Sequence, residues 1–238
     1  MTDRILGVLG GMGPLASAHF ITRLTLLTPA QIDQEHIPAI LWSDPRIPDR
    51  GTAMRGEGPD PLPALLRGID GLIAAGCGAI AIPCNTAHGW FEQMQAHCSV
   101  PILHIARAAT EELRSKAPLG AIVGVLGTQA TLDMRLYQTS LTHAGWDVIT
   151  GSPQDMAELV MPCIHMVKAN QVREAHAPLM RAIANLVARG AQAVVLGCTE
   201  LPIAFQAGPM PSLADGKQVQ IVDTIDALAR ASISWARN

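Results

Sequence analysis

Two stretches of this 238-residue chain are ungapped, diverged copies of one another. Residues 65–84 (LLRGIDGLIAAGCGAIAIPC) lie over residues 179–198 (LMRAIANLVARGAQAVVLGC) at an offset of 198 − 84 = 114, with eight of 20 positions identical. Each copy reads as an amphipathic helix, a glycine, a short apolar strand and a terminal cysteine, so a fold that accepts one copy must accept two. A second echo, Gly7-Val8-Leu9-Gly10 against Gly124-Val125-Leu126-Gly127, has an offset of 124 − 7 = 117. The offsets differ by three residues, the size of one loop insertion. The chain therefore reads as two similar halves, each opening with a strand that runs into a glycine turn.

Short apolar runs alternate with longer amphipathic ones almost throughout, which is the sequence form of β-α-β units. Strands are expected at 4–9, 39–42, 79–82, 102–104, 120–126, 147–149, 193–196 and 220–222. Helices are expected at 14–28, 62–75, 92–98, 105–116, 131–144, 158–169, 171–189 and 224–237. The fold class is α/β: two pseudo-symmetric three-layer α/β/α domains with mostly parallel sheets, binding ligand at the carboxyl ends of the strands. The first domain is expected to span 1–105 plus about 210–238, with the last strand and helix returning to it, and the second 106–209. Residues 43–63 hold five Pro and three Gly. A loop of that length inside a compact protein is usually functional.

Composition narrows the function. Hydrophobic residues make up 49% of the chain and charged residues 16%, against about 25% charged in an ordinary globular protein, so much of the chain is buried rather than disordered. With a formal charge of −3 and no Lys/Arg run, nucleic acid is not an expected partner and a small molecule is. Five cysteines, an odd number without a C-x-x-C pair, indicate reduced cytoplasmic thiols rather than a disulfide framework or zinc ribbon. Arg4, the apolar ILGVLGGMGPLA and Ala16-Ser17-Ala18 imitate a secretory signal, but four Gly and a Pro spoil its helix. No apolar run approaches the roughly 20 residues of a membrane span, so no membrane partner is expected.

Two cofactor signals are weak. Gly11-x-Gly13-x-x-Ala16 imitates the dinucleotide fingerprint, yet Asp33, 20 residues after Gly13, falls in a polar loop instead of ending the second strand. Eight histidines show neither H-E-x-x-H nor another compact zinc spacing. A pyridoxal enzyme would need a Schiff-base lysine, for which the only candidates are Lys116, Lys168 and Lys217. No cofactor and no metal are expected.

The chemistry points to Cys84 and Cys198. Each follows an apolar strand and precedes a polar segment, Asn85-Thr86-Ala87-His88 and Thr199-Glu200-Leu201-Pro202. Asn and Thr are good N-cap residues, and backbone N–H groups at a helix start favour an adjacent thiolate. Most free cysteines are simply small buried hydrophobes, but symmetric placement beside capping residues favours function. Inverting an amino acid at Cα removes a proton from one face and returns one to the other, and a thiolate and a thiol can exchange these tasks. A free thiol, with a pKa of about 8.5, reaches both forms with modest tuning. Glu200, beside Cys198, opposes thiolate formation. His88, in a first helical turn, reads as hydrogen-bonded locally.

The motifs GVLGGMGPLA from Gly7, DQEHIP from Asp33, IPDR from Ile47, PCNTAH from Pro83, VKAN from Val167 and GCTE from Gly197 span nearly the whole chain. With them the chain resembles the aspartate/glutamate racemase family of cofactor-independent, two-cysteine enzymes, and within it the aspartate racemases and their broader-specificity relatives. The resemblance implies that Cys84 and Cys198 are the acid/base pair in a cleft between the halves. It also implies that Asp49 and Glu200 sit near the thiols and that Arg50 and Lys168 meet substrate carboxylates. Arginine's two-point grip on a carboxylate agrees with the last assignment. Asn85, Thr86, Thr128 and Thr199 are candidates to hold the α-carboxylate, and Met12 to line the pocket. A homodimer is what the family suggests. Other activities of the superfamily, such as hydantoin racemisation, malonate decarboxylation or maleate isomerisation, stand as alternatives beside a non-catalytic binding protein of the same fold.

Overall fold

Parallel strands covered on both faces need continuous apolar runs, and this chain supplies them in both halves. The computed structural model describes residues 4–208 and 219–238. These fall into two units, Met1–Ala108 with Ile225–Asn238, and Ala109–Thr224. In the first, β1 (Ile5–Gly10), β2 (Ala39–Ser43), β3 (Cys77–Ala81) and β4 (Ile102–Leu103) form a parallel sheet in the order β2-β1-β3-β4. Its helices are α1 (Pro14–Leu27), α2 (Arg50–Met54), α3 (Leu62–Ala74) and α4 (Phe91–His97), and α5 (Ile105–Arg114) runs across the division between units.

The second unit repeats the plan. Its strands β5 (Ile122–Gly127), β6 (Asp147–Thr150), β7 (Ala193–Gly197) and β8 (Gln220–Asp223) are ordered β6-β5-β7-β8, again all parallel. Its helices are α6 (Gln129–Asp133), α7 (Leu136–His143), α8 (Pro153–Asp155), α9 (Met161–Lys168), α10 (Val172–Ala188) and α11 (Glu200–Gln206). The terminal α12 (Thr224–Arg237) belongs, from Ile225, to the first unit.

The identities between the two repeat copies now have physical reasons. Leu65, Ile69 and Leu72 of α3, and Leu179, Ile183 and Leu186 of α10, recur at helical spacing and are buried. Each such side chain contributes about 2 kcal/mol when removed from water. Ala79 and Ala193 are buried in β3 and β7. Gly76 and Gly190 take φ of 88° and 95° just beyond each helix, the left-handed conformation that favours glycine. The duplicated residues mostly dock one helix on one sheet and then stop it.

Three expectations need correction. The final strand does not return to the first half: β8 pairs with β7, Val194 opposite Ile221, and buries Val222. It is the counterpart of β4, and only the helix after it joins the first unit, where Asp226 takes both a 2.5 Å and a 2.7 Å bond from Arg23. Met210, the expected switch point, lies outside the described residues. Second, the helix expected at 131–144 is broken into α6 and α7, because Arg135 adopts a left-handed φ of 55°. Third, the helix expected at 158–169 starts earlier and contains a π-helical stretch, Met156–Val160, which ends two residues before Pro162, whose missing N–H interrupts the regular ladder.

Candidate active site

In the first unit the carboxyl ends of β1 and β3 lie side by side, with Val8 opposite Ala81. Beyond β1 the backbone turns at Gly11, whose φ of +94° and closeness to the Asp44 backbone admit only glycine. The turn buries Met12. Beyond β3 come Ile82, Pro83 and Cys84, the last 5% exposed, then buried Asn85 and Thr86 at the start of a 3-10 segment, Thr86–Trp90. The Cys84 N–H donates to the Ile82 carbonyl at 2.8 Å. Asn85 stands at the cap position without a capping bond from its side chain.

Helix α2, inside the long 43–63 loop, packs against this 3-10 segment. Its cap is Asp49, an exposed carboxylate that accepts the Thr52 N–H at 2.8 Å. The next residue, Arg50, is buried. Its guanidinium donates to the carbonyls of Pro48 at 2.9 Å, Ile47 at 3.2 Å and Met12 at 3.3 Å. Its Nε is buried without a partner among the described residues. Carbonyl dipoles orient the cation but leave its charge uncompensated, which suits an incoming carboxylate.

In the second unit Gly127 of β5 lies opposite Gly197 of β7, so Thr128 and Cys198 follow adjacent strand ends. A side chain at Gly127 would strike the Gly197 carbonyl oxygen, and one at Gly197 the ring of Tyr137. Thr128 caps α6 by accepting the Thr131 N–H at 3.1 Å. Cys198, Thr199 and Glu200 are all buried. The Cys198 thiol donates to Glu200 Oε2 at 3.0 Å, and the Thr199 hydroxyl points to the same oxygen at 3.4 Å.

Burial, then the Glu200 charge and that hydrogen bond, push the Cys198 thiol well above its ordinary range, while the Lys168 cation pulls the other way. A thiolate-favouring helix start, expected from sequence, is therefore overruled at Cys198. Thr199 occupies the cap position of α11, but its hydroxyl serves Glu200 instead of the helix. Lys168 ends α9 and is exposed. Of the other two lysines, Lys116 is paired with Glu112 at 2.6 Å, and Lys217 lies outside the described residues.

Two groups near Cys198 were not singled out from sequence. Cys163, on α9, is fully buried, and burial followed by the Glu200 charge pushes its thiol up to about 12. Tyr137 is fully buried beneath Gly197 and hydrogen-bonds Thr224, whose hydroxyl donates to the Leu196 carbonyl at 2.8 Å. Neither belongs to a motif. Tyr137 is the single tyrosine of the chain, which was the available signal.

The family described as Asp/Glu/Hydantoin racemase matches residues 9–232. The chain belongs to that family. Its relatives include the broad specificity amino-acid racemase of Bacillus subtilis (strain 168), 26% identical over 238 residues that cover 97% of each chain. The solved aspartate racemase of Picrophilus torridus superposes with a TM-score of 0.84 at 31% identity, covering 99% of this chain and 95% of that one. A glutamate racemase from Francisella tularensis, solved with D-glutamate, shares the fold at a TM-score of 0.69 and 18% identity, covering 99% and 81%. The racemase-family chain is thus an isomerase. No helix among its described residues is long and apolar enough to cross a membrane.

Proposed function

We propose that this racemase interconverts L- and D-aspartate, with glutamate and other amino acids as further substrates, using Cys84 and Cys198 as its two bases and no pyridoxal phosphate. The observation that carries it is the equivalence of the thiols: each follows the strand beside the first strand of its unit, in two sheets of identical order. Arg50 supports a dicarboxylic substrate, because its buried guanidinium lacks a carboxylate partner among the described residues. Lys168 is the proposed second cation. Asn85, Thr86, Thr128 and Thr199, all in turns that follow strands, would hold the α-carboxylate, with Met12 against the carbon chain.

In one direction the Cys84 thiolate takes the Cα proton, the electron pair stays on Cα, and the Cys198 S–H returns a proton to the opposite face. The other enantiomer reverses the roles. Glu200 keeps Cys198 protonated until the carbanion forms. Asp49 is proposed to act on charge at the same site through its position beside Arg50. The reading also takes the chain as a homodimer, which sedimentation measures.

Circular dichroism of each enantiomer in metal-free, pyridoxal-free buffer tests this. Racemisation of aspartate is expected, with Cys84→Ala and Cys198→Ala each losing at least about 10³-fold. Full activity in either variant would overturn the two-base scheme. In heavy water, early product is expected to carry deuterium at Cα while remaining substrate stays protiated.

A further inference from the structure

Cys84 lies off the sheet. β3 ends at Ala81, three residues earlier, whereas Cys198 directly follows Gly197, the last residue of β7. A thiol beyond the reach of the ladder needs another anchor, and His88 supplies one. This side chain is 4% exposed. Its Nδ1 lies 2.9 Å from the Cys84 carbonyl oxygen, and its Nε2 lies 3.2 Å from the backbone nitrogen of Ile105, the first residue of α5.

The carbonyls of Leu103 and Asn85 also face the ring, and the bonds at Nδ1 and Nε2 set its tautomer. A peptide N–H can only donate, so Nε2 accepts and carries no proton. A carbonyl oxygen can only accept, so the proton is on Nδ1. A charged ring would set a donor against the Ile105 N–H. The ring is also held from its sides, stacked with Phe91 at 6.1 Å and 7°, and met edge-on by His104 at 4.9 Å. His104 accepts the N–H groups of Ala106 at 3.2 Å and Arg107 at 3.4 Å through its own Nδ1. Burial draws His88 down to about 4 and His104 to about 3, in accord with two neutral rings.

We propose that His88 is a positioning residue for Cys84: its Nδ1–H ties the Cys84 carbonyl to the start of α5 and so aims a thiol that the sheet does not hold. It acts through the backbone and lends the sulfur no charge. The assignment rests on Cys84 being a base of the proposed reaction and adds what directs it.

Two kinds of experiment test this, one of them independent of activity. In wild-type protein carrying [15N]histidine, long-range nitrogen–proton correlation spectra at pH 7 are expected to show a neutral Nδ1–H ring at position 88, assigned by its loss in His88→Asn. A neutral Nε2–H ring or a charged ring there overturns the proposal. For racemisation, His88→Phe, which keeps a ring and removes both bonds, is expected to lower kcat by about 10- to 100-fold with KM nearly unchanged. Peptide mapping should show altered iodoacetamide alkylation at Cys84 but not at Cys198. His88→Asn, whose amide nitrogen can replace Nδ1–H, is expected to restore kcat to within about threefold of wild type.

Wild-type kcat and Cys84 alkylation in His88→Phe overturn the proposal, as do equal changes at both thiols, which mark general damage. Should His88→Phe not fold, the tautomer and the asparagine variant still decide. Wild-type protein that fails to racemise any amino acid would sink the proposed function, whereas the tautomer and the Cys84 alkylation rate are read without turnover.

Discussion

The two thiol-bearing turns occupy equivalent places in two sheets of the same order, yet each is held by a different device. At Cys84 the hydrogen bonds run through the backbone, to Ile82 and from the neutral imidazole of His88. At Cys198 the bond is on the sulfur itself, to the buried Glu200 carboxylate. Duplication copied the scaffold, meaning the strand, the docked helix and the glycine stop. The polar partners diverged after it. A symmetric fold can therefore set two equivalent thiols in different surroundings, because those surroundings are charge and burial within a few ångströms while the fold depends on apolar spacing.

The largest expected effect that separates the two turns is acid sensitivity in the first. An unfolded histidine protonates near 6.5, and folded His88 near 4, so the unfolded chain binds the proton first. The stability due to the neutral ring is fully present above about pH 6.5 and lost as pH falls towards 4, up to about 3 kcal/mol. His104 and His19, also lowered by burial, act in the same direction. Urea titrations across that range are expected to show a shallower loss in His88→Asn than in wild type. Equal slopes would remove the distinction on the His88 side.

Next in size is Glu200→Gln. Removing the carboxylate removes two of the three causes that raise the Cys198 thiol. Cys198 should then alkylate faster at pH 8, while kcat falls by about 10- to 100-fold, as expected for a disturbed acid/base group. If Cys84 responds as strongly, the two sites are coupled rather than distinct. Arg50→Lys follows, with KM for aspartate raised about tenfold and kcat less affected, since a point charge replaces a planar fork. Saturation curves for both enantiomers measure it.

The smallest effect is at Asp49. Its exposed carboxylate caps α2, so Asp49→Ala is expected to cost about 1 kcal/mol of stability and Asp49→Asn much less. Thermal unfolding of the three proteins measures it. The asparagine variant keeps the cap and removes the charge, so a loss of racemisation in it is the outcome expected from the charge role proposed for Asp49 beside Arg50, and full activity would remove that role.

Local patterns carried the architecture a long way. The eight strands read from apolar runs are all present among the described residues, with no end displaced by more than two residues. Helices were legible where their apolar spacing was long enough to repeat, as in α3 and α10. The five-residue α2 was not, because so few turns show no period, and of α11 only the start beside Thr199 was read. The break at Arg135 carried no Gly or Pro to announce it, and the non-glycine left-handed residue there is visible only in the backbone.

By itself the sequence determined two α/β halves, a cysteine beyond the strand beside the first in each, and an arginine and lysine in the accompanying motifs. All of that follows from short-range order: apolar period, glycine stops and duplication. The tertiary structure decided what stands against each of these groups. Only it put β8 in the second sheet, buried Arg50 against three carbonyls, and set His88 between Cys84 and Ile105. Only it placed Glu200 on the Cys198 sulfur. Those partners are chosen by long-range packing, and a thiol's proton affinity depends on how far water is excluded and which charge is left beside it.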